Sequence, residues 1–335
     1  MKHRILSMLA ILAIAFALLG AAIQAQTAPR LPATRAKSTA PSLPRTTWGD
    51  PDLQGIWTNT TTTPLERPKD LAGRAELTED EWKKRDVETA ARVSLDRIQT
   101  GGGNPGAYNE FWMERGRLNK RTSLVLDPPD GKIPALTESA RKRADALAEA
   151  RRLHPADSHE DRSAYDRCIT RSIPGAMMPG FYNHNYHILQ TPGYVAILVE
   201  MIHDVRIIPL DGRPHVNDPL RLWMGDARGH WQGDTLVVDT RNFNDKVFET
   251  QPGGLVIYGF GQQSHLIERF KRIDAETLDY QFTVDAPSVY TQPWTVSTPM
   301  AKIPGPIFEY ACHEGNYAIR NILAGARSDD RAAQK

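Results

Sequence analysis

The second half of the chain is a series of short strand-like segments, and this series constrains the fold more than any other feature. Turn residues such as Thr191-Pro192-Gly193 and Asp211-Gly212 separate the segments. The spacing favours antiparallel hairpins over βαβ units, and a long series must bury one face and protect its edges, as an antiparallel barrel does. The segments predicted as strands are 185–190, 194–208, 234–240, 264–273, 277–284, 291–297 and 307–311.

The preceding part of the chain predicts helices. Thr78 and Glu81 form a capping-box pattern that starts a helix ending near Leu95. A second helix begins at Thr137 and runs to about Leu153, before Pro155. We therefore expect a mainly β fold, an antiparallel barrel with a helical N-terminal or insert region.

The N-terminus predicts an export signal. Lys2 and Arg4 precede an apolar run at 5–19, and small residues up to Ala25 suit cleavage there. A permanent anchor is the alternative, but the run is shorter than the roughly 20 residues of a membrane span. We expect a periplasmic or secreted protein with no stable membrane anchor after cleavage.

Composition divides the chain into five regions. These are a signal peptide at 1–25, a disordered linker at 26–46, an N-terminal strand plus helical region at 47–160, the barrel at 161–327 and a disordered polar tail at 328–335. The net charge of +1 provides no basic excess for phosphate backbones, so nucleic acid is not an expected partner.

The two cysteines, Cys168 and Cys312, predict a disulfide, because an exported protein matures in an oxidising compartment. The alternative is a thiolate nucleophile or a metal ligand, since His313 follows Cys312 directly. Adjacent residues of a strand point to opposite faces, which favours the disulfide.

Two sets of motifs resemble those of known protein families. Gly55 and Trp57 have the Gly-x-Trp form that opens lipocalin-like barrels. The segments 121–131, 206–215, 231–240, 268–272 and 310–317 resemble a family of secreted bacterial proteins of unassigned function, over most of residues 50–327. The first resemblance implies a lipocalin-like barrel, an architecture that includes cofactor-independent phenolic acid decarboxylases. Fold alone does not fix function, and the family implies no residue roles.

Charged residues at the end of the apolar run in 194–208 are the first candidate site. Glu200, His203 and Arg206 would be costly to bury unpaired. On an ideal strand Glu200 and Arg206 share a face and His203 lies opposite, but a bulge near 201–202 would bring Glu200 and His203 together. The alternative is a solvated ion pair with one hydrogen-bonded histidine.

A second candidate cluster precedes this strand. Asn185 and His187 share one face of the predicted strand, and Tyr186 lies on the other. Histidine is the natural acid or base near neutral pH. Tyr280 and Trp294 lie among the aromatic residues of the later strands, and an aromatic lining favours a flat aromatic ligand. The alternatives are a polar edge strand and ordinary core packing.

Several motif classes are missing from the sequence. It has no His-Glu-x-x-His, no Gly-x-Ser-x-Gly, and no nucleotide-binding pattern. We therefore expect no cofactor and no metal, although a metal site built from distant strands stays an alternative.

These observations predict an exported, cofactor-independent lyase of the decarboxylase type that acts on a small aromatic or phenolic acid, with an anionic substrate as partner. The alternatives are a periplasmic binding protein without catalysis and a metal-dependent hydrolase. The predicted catalytic residues are Glu200, His203 and His187, and the predicted substrate-binding residues are Arg206, Tyr186, Asn185, Tyr280 and Trp294.

Overall fold

The computed structural model describes residues 43–94, 110–247, 261 and 263–334. The predicted signal peptide at 1–25 and most of the predicted linker, 26–42, lie outside the described residues. The last linker residues are ordered, since Arg45 forms a β-bridge with Pro51.

Eleven strands in the described residues form one antiparallel sheet. The strands are β1 (Gly55–Thr58), β2 (Val125–Asp127), β3 (Asn185–Thr191), β4 (Tyr194–Val199), β5 (Val205–Pro209), β6 (Asp226–Gln232), β7 (Thr235–Arg241), β8 (His265–Arg272), β9 (Thr277–Asp285), β10 (Trp294–Ser297) and β11 (Met300–Ile303). Their order in the sheet is β5-β4-β3-β1-β11-β9-β8-β7-β6, and β10 pairs with β9 and β2. The prediction of a mainly antiparallel β fold is therefore confirmed.

The end strands β5 and β6 are not joined by a backbone ladder within the described residues, so pairing does not close the sheet into a barrel. The two strands nevertheless approach each other. A Cβ on Gly229 of β6 would lie 2.6 Å from Leu210 Cδ2 and 2.8 Å from Ile208 Cγ2. Side chains from the β5 end therefore pack against the bare backbone of β6.

The predicted single strand 194–208 is a hairpin, and this part of the prediction is wrong. β4 pairs with β5, with Ile197 opposite Arg206, and the chain reverses between Glu200 and Asp204. Ile202 has a φ of 63° and His203 a φ of 50°. A turn without glycine or proline lacks the usual sequence pattern, so the sequence predicts a bulged strand where the structure has a turn.

The predicted last strand, 307–311, also differs from the structure. The final strand is β11, and residues 307–311 have no regular secondary structure. β11 is a short strand that pairs with β1 on one side and with β9 on the other. The segment that follows β11 therefore does not pair with a strand of the sheet.

Three α-helices occur in the described residues: α1 (Glu79–Val93), α2 (Glu138–Leu153) and α3 (Ala318–Ala333). Thr78 and Glu81 form the predicted capping box, and the Thr137 side chain caps α2. α3 includes residues 328–333, which the polar composition had predicted to be disordered. No helix in this part of the chain has the length and apolar character required to cross a bilayer.

The core contains a buried ion pair. Arg206 Nη1 donates to Glu268 Oε1 at 2.9 Å, and Nη2 also contacts the carboxylate. The Tyr280 hydroxyl donates to Glu268 Oε1 at 2.9 Å. Burial opposes the charge of Arg206, but the Glu268 carboxylate outweighs it and raises the pKa of Arg206. The buried Glu268 carboxylate therefore has both a cation and a neutral hydrogen-bond donor beside it.

We predict that Arg206→Met lowers the free energy of unfolding by about 3–5 kcal/mol, because it leaves the Glu268 carboxylate buried without its cation. The double variant Arg206→Met/Glu268→Gln should recover most of the loss, since the amide oxygen still accepts from Tyr280. Urea unfolding measures both effects. Arg269→Met, on the exposed side of β8, is the control. Equal losses for Arg206→Met and Arg269→Met would contradict the prediction.

Candidate functional site

A cleft of about 740 Å³ lies beside the β4–β5 turn. Three chain segments line it: 111–114, 182–183 and part of 308–316. The last of these begins within the stretch that the sequence had predicted as a strand. We call this site the aromatic cleft.

The rim of the aromatic cleft exposes large apolar side chains. Phe111, Trp112 and Phe308 are 84%, 59% and 67% exposed. The rings of Phe111 and Trp112 meet edge to face, with centroids 5.3 Å apart. Clustered exposed aromatics mark binding surfaces more often than isolated ones do. The rim is therefore suited to a flat apolar ligand.

Two carboxyl groups meet at Asn185 next to the cleft: Glu114 is one of the described residues that line the cleft, whereas Glu200 and Asn185 are not. Asn185 Nδ2 donates to Glu200 Oε2 at 2.7 Å and lies 3.3 Å from Glu114 Oε2. The backbone N–H of Phe308 donates to Glu200 Oε1 at 2.8 Å. Glu200 is only 1% exposed. One amide thus connects a buried carboxylate to a second carboxyl group that borders the cleft.

Glu114 is the carboxyl group of this pair with an altered pKa. Burial raises the pKa of Glu114, and the charge of Glu200 raises it further, against hydrogen bonds from Asn185 and the backbone of Asn183. Glu114 as a whole residue is exposed, so solvent screens part of this effect. Burial and the nearby Glu200 carboxylate therefore favour the protonated form of Glu114, whereas the hydrogen bond from Asn185 positions the carboxyl group and favours its ionised form.

Tyrosines form the polar part of the wall. Tyr182 and Tyr310 line the cleft, and both hydrogen-bond with Tyr165 behind them. The guanidinium carbon of Arg171 lies 5.1 Å from the centre of the Tyr165 ring. Burial and the neighbouring Tyr310 raise the pKa of Tyr165, against the effect of Arg171. A phenol hydroxyl both donates and accepts, so this wall offers a polar network that an oxygen-bearing ligand can join.

Backbone strain is concentrated around the cleft. Four residues near it have a positive φ angle. The angle is 54° at Asn183 in the lining and 56° at Cys168 in the disulfide to the wall. In the turn beside Glu200 it is 63° at Ile202 and 50° at His203. Ile202 is the clearest outlier, because β-branched residues rarely adopt this conformation. Such strain is typical of positions that have to present a site.

The predicted disulfide is confirmed and holds the cleft wall. Cys168 and Cys312 are bonded, with their Cα atoms 5.8 Å apart. Cys312 lies after β11 rather than in a last strand, and it lines the cleft. Neither sulfur is available as a thiolate or a metal ligand.

Glu200 and Asn185 are the predicted site residues that the structure brings together, in contact with Glu114 of the cleft lining but not themselves part of that lining. His203 is exposed, and its Nδ1 lies 2.9 Å from the carbonyl oxygen of Tyr310, so it contacts the cleft wall from solvent. His187 lies on the opposite face of β3 from the buried Tyr186. The predicted bulge and the shared pocket of Glu200, His203, Arg206 and His187 are not what the structure shows.

The other predicted substrate-binding residues lie in the core. Arg206 and Tyr280 both contact Glu268, as described above. The Tyr186 hydroxyl donates to Asn59 Oδ1 at 3.2 Å. Trp294 packs edge to face on Tyr290, with ring centroids 5.5 Å apart. None of these four side chains lines the aromatic cleft.

Glu114, Tyr182 and Tyr310 were missed as site residues by the sequence analysis. The one available pattern was the apolar triplet Phe111-Trp112-Met113, which directly precedes Glu114 in a polar, glycine-rich region. Among the described residues, no three or more His, Cys, Asp or Glu side chains are grouped so that they could hold a metal ion.

We predict that removing the disulfide loosens the cleft wall more than the sheet. For a sequence separation of 144, the chain-entropy estimate for Cys168→Ala/Cys312→Ala is a loss of about 5 kcal/mol in the free energy of unfolding. Hydrogen–deuterium exchange should speed up at the Phe308 amide, which donates to Glu200, more than at the Tyr280 amide of β9. Equal acceleration at both amides would contradict this prediction.

We also predict that Glu200→Gln lowers the pKa of Glu114, because it removes the neighbouring negative charge. Carbon-13 NMR of the Glu114 carboxyl group measures this pKa. Glu309→Gln, which removes an exposed carboxylate lining the same cleft, is the matched control and should leave the pKa much less affected. A Glu114 titration that is the same in Glu200→Gln and in the unaltered protein would refute the coupling.

The same shift has a consequence for stability. A carboxyl group with a raised folded-state pKa destabilises the fold when it ionises, so the free energy of unfolding should fall as pH rises from the ordinary value of 4.5 through the raised pKa. Glu114→Gln should lack this part of the pH dependence, while Glu309→Gln should retain it.

Comparison of the chain with protein-family models, with curated proteins and with solved structures finds no match.

Proposed function

We propose that the protein is an exported enzyme that binds a small aromatic acid in the aromatic cleft and catalyses proton transfer there. Its most concrete form is a cofactor-independent decarboxylase. The observation that supports this most directly is the shared contact of Glu114 and Glu200 with Asn185, below a rim of exposed aromatic rings. A carboxyl group that stays protonated at higher pH is suited to act as a general acid.

The proposed reaction needs one proton. The substrate carboxylate leaves as carbon dioxide, and the electron pair of the broken carbon–carbon bond takes the proton of Glu114. Glu114 then recovers a proton from water, and the hydroxide that remains combines with the released carbon dioxide as bicarbonate. Glu200 does not touch the substrate in this scheme; its charge helps to keep Glu114 protonated, and Asn185 holds the two groups in place.

The residue roles differ from those expected from the sequence alone. Glu114 takes the acid–base role first given to Glu200, His203 and His187. Tyr182 and Tyr310 take the role first given to Arg206, because the Arg206 guanidinium is already bound to Glu268. A phenol or carboxylate oxygen of the ligand would accept hydrogen bonds from the tyrosine hydroxyls, with the positive charge of Arg171 behind them.

We also propose a lipocalin-like barrel as the architecture. The packing of Ile208 and Leu210 against Gly229 supports side-chain closure between β5 and β6. Export through the predicted signal peptide at 1–25 fits the disulfide, since disulfides persist in oxidising compartments.

A binding protein without catalysis is the second candidate. The exposure of Phe111, Trp112 and Phe308 favours it, because a rim that stays open to solvent does not by itself exclude water from a reaction. Both candidates use the same cleft, so they differ only in turnover.

The test incubates the purified exported protein with a panel of phenolic acids and follows carbon dioxide and product by mass spectrometry. Glu114→Gln should lower turnover by about 100-fold or more, because it removes the general acid, while ligand affinity changes little. Glu309→Gln should retain turnover. Activity should also fall as pH rises through the pKa of Glu114, and in Glu200→Gln this fall should occur at lower pH.

Binding of phenolic acids without any product would establish the second candidate. Turnover that is unchanged in Glu114→Gln would refute the assignment of the acid. Absence of both binding and turnover across the panel would refute the proposed ligand class.

A further inference from the structure

A second cavity, of about 520 Å³, has none of its described lining residues in common with the aromatic cleft. Its wall comes from α2, from the segment 160–167 and from the turn at 245–246. On α2 the contributing residues Arg143, Leu147 and Arg151 recur at intervals of four, so they lie along one helix face. We call this site the arginine cavity.

The lining has a marked excess of positive charge. Among the described residues, the acidic side chains that line it are Glu160 and Asp245. The whole chain has a net charge of +1, so this excess is local. A concave site lined by one sign of charge concentrates the electric field and attracts counter-ions. The cationic side chains of the lining are Arg143, Arg151, Arg162, Arg167 and Lys246.

Two of these guanidinium groups have an unsatisfied donor. The Nε atoms of Arg162 and Arg167 are buried, and neither has a hydrogen-bond partner in the described structure. Arg162 contacts Asp166 through Nη2 at 3.3 Å, which leaves Nε unpaired. Buried N–H groups in native proteins almost always have an acceptor. Because both Nε atoms are shielded, an acceptor in the cavity would reach them only after the arginine side chains turn toward it.

We propose that the arginine cavity binds a phosphate-type oxyanion, in the form of a small phosphate monoester. A doubly charged phosphate matches the excess of cations, and arginine forks bind phosphate oxygens with two parallel hydrogen bonds. The cavity is larger than a bare phosphate ion requires. Leu147 and Ala164 offer apolar surface to an attached organic group.

The test is calorimetric titration of the purified exported protein with phenyl phosphate, inorganic phosphate and acetate at low ionic strength. We expect saturable binding of phenyl phosphate at one site, with acetate at least tenfold weaker. Arg167→Gln and Lys246→Gln should each weaken phenyl phosphate binding by about tenfold or more. Arg152→Gln is the matched control, since Arg152 lies on the same helix but pairs with Glu149 and does not line the cavity.

The comparison of phenyl phosphate with inorganic phosphate distinguishes a phosphate monoester from the free phosphate ion. Tighter binding of phenyl phosphate than of inorganic phosphate supports the monoester. Equal or tighter binding of inorganic phosphate overturns the monoester in favour of the free ion. No saturable binding, or an equal loss in Arg152→Gln, overturns the site altogether.

Near-UV circular dichroism checks that each variant folds. Lys246→Gln decides the outcome if Arg167→Gln does not fold, because Lys246 lies in a different chain segment.

Discussion

The two hydrogen bonds accepted by Glu200 are the interaction on which the aromatic cleft depends. One comes from Asn185 at the start of β3 and the other from the backbone of Phe308, beyond the last strand. A buried carboxylate without such donors would be strongly destabilising. The need to satisfy Glu200 therefore brings a sheet strand, the β4–β5 turn and the irregular segment after β11 to one place.

Glu200 and Glu268 show how the surroundings of a buried carboxylate decide what it does. Glu268 contacts the Arg206 cation and the Tyr280 hydroxyl inside the sheet, so its charge is neutralised locally. Glu200 accepts from two neutral donors of the described chain, Asn185 and the Phe308 backbone, and its charge acts on Glu114. The first arrangement stabilises the fold, and the second can prepare a neighbouring group for proton transfer.

The fold class and the disulfide could be predicted because local patterns determine them. Alternation and turn residues predicted most strands, and the pattern at Thr78 and Glu81 predicted the start of α1. The turn at 200–204 could not be predicted, since Ile202 and His203 adopt positive φ without glycine. Without this turn, Arg206 would lie on the same strand as Glu200. The predicted pocket that joins these two side chains depends on that single strand, and the structure does not have it.

The sequence by itself determined that the described chain forms an antiparallel β structure, that Cys168 and Cys312 pair, and that Glu200 and Arg206 need partners. Tertiary structure alone decided which partners they have. Glu114 lies far from Glu200 in the chain, and only the packing of 110–114 against the start of β3 brings its carboxyl group to Asn185. The physical reason is that hydrogen-bond and strand patterns are local, whereas the pKa of a carboxyl group depends on charges and burial contributed by distant segments.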